Sequence, residues 1–217
     1  MNLSPELRAR IFEAVRKEPA PTRSAAERQT LIVLVAAVSI AATLFAWLGG
    51  VHIGARPIPF VCGTTIGWSI VAAAASWIAF ARGGSMLGRA HGRLLTVAVV
   101  TPVLLFAWMI AWNLTYPETF DGIPGRIGLR CLSFTLAMAA WPLVALAYIR
   151  RERDPLHPGT AGAARGVAAG ALAGIVVDLW CPCTDPWHVL RGHIMPMFVL
   201  MAIGAISGRL MAGVRVR

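Results

Sequence analysis

Four cysteines carry the reactive chemistry of this chain: Cys62, Cys131, Cys181 and Cys183. A thiolate is a nucleophile, a soft metal ligand and an oxidisable group, so redox and metal chemistry are the first readings. Cys181 and Cys183 sit in the run Leu-Trp-Cys-Pro-Cys-Thr-Asp-Pro-Trp-His, with His188 and His193 close behind and His52 far upstream. Cysteine beside histidine suggests a metal site, with Cys181, Cys183, His188 and His193 as its candidates. Two spacings argue against a closed site. Cys-Pro-Cys lacks the usual two-residue gap, and histidines five apart do not share an α-helical face. Neither a metal site nor a cofactor is therefore expected. Cys131, Cys181 and Cys183 read as sensor thiols, and Cys62 as an ordinary small membrane residue. No Ser-His-Asp set, phosphate loop or intramembrane carboxylate pair is present, so an enzyme is not expected.

The elements that position these groups follow from composition. Of 217 residues, 57% are apolar and only 14% charged, well below the charged quarter of a soluble domain. Lipid must be the solvent for much of the chain. Six apolar stretches are predicted as transmembrane helices: Thr30–Leu48, Phe60–Ala81, Leu94–Leu114, Leu129–Ile149, Ala161–Leu179 and Ile194–Ala212. Helices are required because an open strand in lipid leaves backbone groups unpaired. The expected fold is all-α and polytopic. Residues 1–29 form a cytoplasmic tail, 30–212 the membrane domain and 213–217 a short cytoplasmic end.

Charge sets the orientation. The net charge is +10, which in a soluble protein would suggest nucleic acid. Here the basic residues are spread over loops, as the positive-inside bias demands, and no direct nucleic-acid contact is expected. Arg56, Arg126, Arg130 and Arg191 lie on one side, and the rest of the 20 Lys and Arg on the other. Both termini are thus predicted cytoplasmic, with all four cysteines near the outer face. An oxidising compartment there would permit a Cys131–Cys181 bridge. Asp178 is the one acidic residue well inside a span, a functional candidate unless it is paired, with Arg130 as its nearest prospect. Trp112, Tyr116, Trp180 and Trp187 read as interfacial anchors. Pro102, Pro142 and Pro196 are expected to bend their helices.

Glycines mark the packing. Gly162, Gly166, Gly170 and Gly174 recur every fourth residue, as do Gly204 and Gly208. That spacing lets helix backbones approach closely, here within one chain. In the tail, Leu3, Leu7, Ile11 and Val15 form an apolar stripe with Phe12 beside it and Arg8 and Arg16 flanking. Ser4 and Pro5 suit a helix start, and Pro19-Ala20-Pro21 ends it. A short amphipathic helix needs a partner, either a groove on another protein or the membrane surface.

Arg130-Cys131-Leu132-Ser133 opening a span, Arg150-Arg151, Pro158, the Gly162–Gly174 series, Cys181-Pro182 and Asp185-Pro186 together resemble the NrsF-like family of bacterial membrane anti-sigma factors. The resemblance covers nearly the whole chain in architecture. Its specific motifs lie after Cys131. It implies a six-span inner-membrane negative regulator that holds an extracytoplasmic-function sigma factor until an envelope, oxidative, metal or light stress signal releases it. It also implies that Cys131 and Cys181 are the paired sensing cysteines. By position, Leu3, Leu7, Arg8, Ile11, Phe12, Val15 and Arg16 match the sigma-binding end. Two departures stand out: Cys183 replaces the acidic residue usual after Cys-Pro, and the segment from Trp187 to His193 replaces an aromatic one. A CarR-type negative regulator is a second resemblance. From other classes, a membrane thiol oxidoreductase using Cys181 and Cys183 and a transport-related protein remain as alternatives.

Overall fold

The computed structural model describes residues 6, 13, 23–47, 49–50, 56–80, 91–116, 128–150 and 157–213. Among them every regular element is helical. They are α1 (Arg23–Trp47), α2 (Ile58–Phe80), α3 (His91–Thr115), α4 (Leu129–Arg150) and α5 (Pro158–Trp180). A composite rod follows: α6 (Pro186–Val189), a π-helical turn (Leu190–Ile194) and α7 (Met195–Gly213). Five stretches are long and apolar enough to cross a membrane: Ile58–Trp77, Gly92–Thr115, Leu129–Tyr148, Pro158–Trp180 and Pro186–Met211. The apolar stretch of α1, Leu31–Trp47, is shorter than these.

The last rod begins earlier than its hydropathy implies. Hydropathy alone leaves residues up to His193 in a loop, yet helix resumes at Pro186. The local chemistry explains this. Pro182 drives Cys181 out of the helical region, to φ −80° and ψ 123°, and ends α5. Three residues further on, the Asp185 carboxylate accepts the His188 backbone N–H at 2.8 Å, and Pro186 takes the first helical position. Only residues 181–185 separate the two helices.

Helix α5 occupies the centre of the bundle. It is buried without a break from Ala161 to Ala171 and again around Val177 and Asp178. It packs chiefly on α7, and also on α2, α4 and α3. The fit depends on missing side chains. A Cβ at Gly162 would strike the carbonyl of Gly204, and one at Gly166 the carbonyl of Leu200. Reciprocally, a Cβ on Gly204 would meet Gly162, and one on Gly208 the carbonyl of Pro158. Gly174 leaves room for the indole of Trp68, which is fully buried. Along α2, Gly63 and Gly67 accommodate Trp112 and Trp108, and the Trp108 indole N–H donates to the Gly63 carbonyl at 3.0 Å. α1 packs on α4, where the Gln29 side-chain amide donates to the Tyr148 hydroxyl.

This packing predicts a large effect from a small site. Gly166→Leu must push α7 off α5, and overpacking of this kind costs about 1–3 kcal/mol. Thermal unfolding in detergent micelles should show a clear fall in Tm. Gly92→Leu, at a position open to space, should leave Tm nearly unchanged.

Candidate functional site: a sulfur and imidazole cluster at one end of the bundle

Four buried side chains meet where the start of α4, the end of α5 and the α6–π-turn junction converge. They are Cys131, Cys181, His188 and His193, with relative exposures of 3%, 1%, 8% and 1%. One donor atom from each lies within 4.8 Å of the others. The Cys131 and Cys181 sulfurs are 3.5 Å apart, and the Cys181 sulfur is 3.1 Å from His188 Nε2. The imidazoles of His188 and His193 lie 5.6 Å apart between centroids.

The histidine spacing is the feature that α-helical reasoning misreads. Residues five apart diverge on an α-helix but align on a π-helix, whose hydrogen bonds run from i to i+5. Here the Met195 N–H bonds to the Leu190 carbonyl, which is the π pattern. Pro196 follows immediately and has no N–H to offer the Gly192 carbonyl four residues back. That carbonyl lies instead 3.2 Å from the Thr135 hydroxyl, whose single proton is shared between it and the Cys131 carbonyl at 2.8 Å. Thr135 thereby ties α4 to the π-turn beside the cluster. Glycines permit the approach. A Cβ on Gly192 would lie 2.9 Å from the Cys131 Cβ, and Gly128 has φ +74° against the same turn.

Asp178 lies one turn before the cluster and is paired. Its carboxylate is 3.4 Å from the Arg56 guanidinium and accepts from the Thr64 hydroxyl at 2.8 Å. Arg56 also donates to the Asp178 backbone carbonyl. The partner is thus Arg56 of the segment before α2 rather than Arg130. Arg130 instead stacks over the Trp180 ring at 5.1 Å. The ion pair pins the start of α2 to the end of α5, and both side chains are almost wholly buried. Asn113, at the end of α3, donates to the Thr184 carbonyl and fixes the loop that follows Cys181.

Cys131 and Cys181 come together in the cluster, and Cys131 rather than Cys183 supplies its fourth donor. Cys183 is buried nearby, in an apolar patch with Cys131, Val177 and Cys181. Cys62 is exposed on α2 and outside the group. Trp187 is exposed, while Trp180 packs edge-on to Phe134. Trp112 stacks on Tyr116. The tail residues Leu3, Leu7, Arg8, Ile11, Phe12, Val15 and Arg16, and also His52, lie outside the described residues. Arg56, Thr64 and Thr135 were not legible as site residues, because each acts across a long sequence separation.

A family model described as NrsF, negative regulator of sigma F, matches residues 14–212. Comparison with curated proteins and with solved structures gives no match.

The buried ion pair yields a sharp test. Removing one partner strands the other charge, at a cost of about 3–5 kcal/mol. Arg56→Met alone and Asp178→Leu alone should each lower Tm strongly in micelles. The double variant should recover most of that loss, as a double-mutant cycle on thermal unfolding would reveal.

Proposed function

The chain belongs to the NrsF family, negative regulators of sigma F, and from that premise we propose that it is a six-span inner-membrane anti-sigma factor. The family match across residues 14–212 carries the reading. In this reading α1 is the sixth crossing and both ends of the chain are cytoplasmic. The arginine distribution in the sequence supports that orientation: only Arg56, Arg126, Arg130 and Arg191 fall in the loops read as outer. Residues 1–29 are the cytoplasmic arm, 30–212 the membrane domain and 213–217 a short cytoplasmic end.

The arm captures an extracytoplasmic-function sigma factor. The stripe of Leu3, Leu7, Ile11 and Val15, with Phe12, enters an apolar groove, and Arg8 and Arg16 set register. Holding the sigma factor at the bilayer keeps it from RNA polymerase. The outer cluster is the receiving end. Oxidants, metals or light-generated oxidants act on the paired thiols, Cys131 and Cys181, with Cys183 in reserve. A switch of this kind needs two packings with different sigma affinity.

A route between the two ends is available in α4. Cys131 stands at its outer end and Tyr148 near its inner end, about 25 Å away along the axis. Tyr148 accepts the hydrogen bond from Gln29 on α1, the helix that continues from the arm. Displacing α4 at its sulfur end therefore moves the base of the arm.

Two measurements test the two halves. Leu7→Asp with Ile11→Asp in the full-length chain should abolish co-purification of the co-expressed sigma factor; undiminished capture would remove the arm from the mechanism. Cys131→Ser and Cys181→Ser should each block induction of sigma-dependent transcription. Induction that survives both, under every oxidant and metal tried, would remove the thiols.

A further inference from the structure

His193 is the anomaly in the cluster. Its side chain is 1% exposed, yet neither ring nitrogen has a hydrogen-bond partner. A buried, unpaired imidazole is costly and rare in a native fold, and its usual explanation is an ion or a water. Its neighbours are two thiols and a second imidazole, so the surrounding groups are themselves metal donors. We propose that Cys131, Cys181, His188 and His193 form a closed tetrahedral site for one divalent d10 cation, Zn2+ or Cd2+. The inference rests on the reading of this cluster as the receiving end, and it names the ligand class of that end.

The geometry suits a metal better than a disulfide. Tetrahedral zinc with sulfur at about 2.3 Å and nitrogen at about 2.0–2.1 Å sets ligand atoms about 3.3–3.8 Å apart. The two sulfurs lie within that range at 3.5 Å, and the Cys181–His188 contact falls just short of it at 3.1 Å. A disulfide would need the sulfurs to close to about 2.05 Å. The widest separation in the group, 4.8 Å, must shorten by about 1 Å on binding. The backbone is already prepared: the π-turn brings His193 round to His188, and Asp185 caps the turn that carries His188.

Charge selects among soft cations. Binding releases one proton from each thiol, and two thiolates neutralise a divalent ion. A neutral complex fits a buried site, where an uncompensated charge is expensive. A monovalent soft ion would leave one negative charge unpaired. Two imidazoles with two thiolates also match the borderline character of zinc and its heavier congener.

The test uses the full-length protein in detergent micelles, reduced and stripped with chelator. Zn2+ is titrated against a chromophoric chelator, and Cd2+ is followed by its sulfur-to-metal charge-transfer absorption. One ion per chain is expected, with two cadmium–thiolate bonds. Even outer-shell substitutions at metal sites weaken affinity by about 10- to 100-fold, so His193→Ala should lose at least that much. His193→Cys, which restores a ligand, should recover it, and Cys183→Ser should leave both cadmium–thiolate bonds in place. The proposal falls if the folded wild-type protein takes up no Zn2+ or Cd2+. It falls equally if His193→Ala binds as tightly as wild type, or if Cys183→Ser removes the cadmium–thiolate band as fully as Cys131→Ser. Wild type that binds no metal while Cys131→Ser still blocks induction overturns the metal site and spares the sensor reading. Metal binding as described with normal induction in Cys131→Ser does the reverse.

Discussion

Lipid tails are as apolar as leucine, so burying apolar side chains between two membrane helices gains little, and close van der Waals contact must hold them together. In this protein the contact is made by backbone. Gly162 meets the carbonyl of Gly204, Gly166 that of Leu200, and Gly208 that of Pro158, so α5 and α7 meet backbone to backbone over this part of their seam. The same economy lets α2 reach α5 with Trp68 seated over Gly174. A thin α5 can be shared by four neighbours at once. A leucine-rich α5 of equal hydropathy would span the bilayer just as well and could not be the central helix.

The seam also dictates where the sulfur and imidazole groups meet. α5 and α7 run antiparallel in close register, so the link between them must turn within a few residues. Pro182 and the Asp185–Pro186 start supply that turn, and it leaves Cys181 and His188 on facing sides of a five-residue loop. The π-turn then absorbs the remaining mismatch. It rotates the rod so that His193 comes under His188, while Pro196 leaves the Gly192 carbonyl open to Thr135 of α4. A π-bulge is an unfavourable local choice that commonly marks functional positions. Here its consequence is specific, because an α-helical continuation would point His193 away from the cluster.

Hydropathy made the helical rods and their approximate limits legible, because span length in lipid is a one-dimensional property. The gathering of Cys131 and Cys181 at one end was legible for the same reason: both sit at span ends on the side away from most arginines. The histidines were not. A spacing of five argues against a shared face unless the helix is π, and the cue for that, Pro196 four residues past Gly192, is a weak one in a sequence. The partner of Asp178 was hidden differently. Arg56 lies 122 residues away, in a loop beside a proline, and nothing local distinguishes it from Arg130 as a counter-ion. Pairings set by three-dimensional contact, rather than by period or length, are what a single sequence withholds.

The bundle divides by how firmly its helices are held, and this bears on how a signal would travel. α2, α5 and α7 are locked by the glycine seam, by Trp68 on Gly174 and by the Arg56–Asp178 pair. α4 packs on α5 and α7 and carries a further tie at each end. At the cluster it is tied by Cys131, Thr135 and the Gly128–Gly192 approach, and at the other end by Tyr148 to Gln29 of α1. On the proposed reading, an event that draws the Cys131 sulfur toward Cys181 and the two imidazoles acts between α4 and the α5–α7 pair. On the proposed reading, α4 yields, because shifting α5 would break its backbone contacts at Gly162 and Gly166 and strand a buried charge. α1 packs on α4, so on that reading it follows α4. On that reading the arm that continues from α1 is coupled to the sulfur end of the bundle through α4.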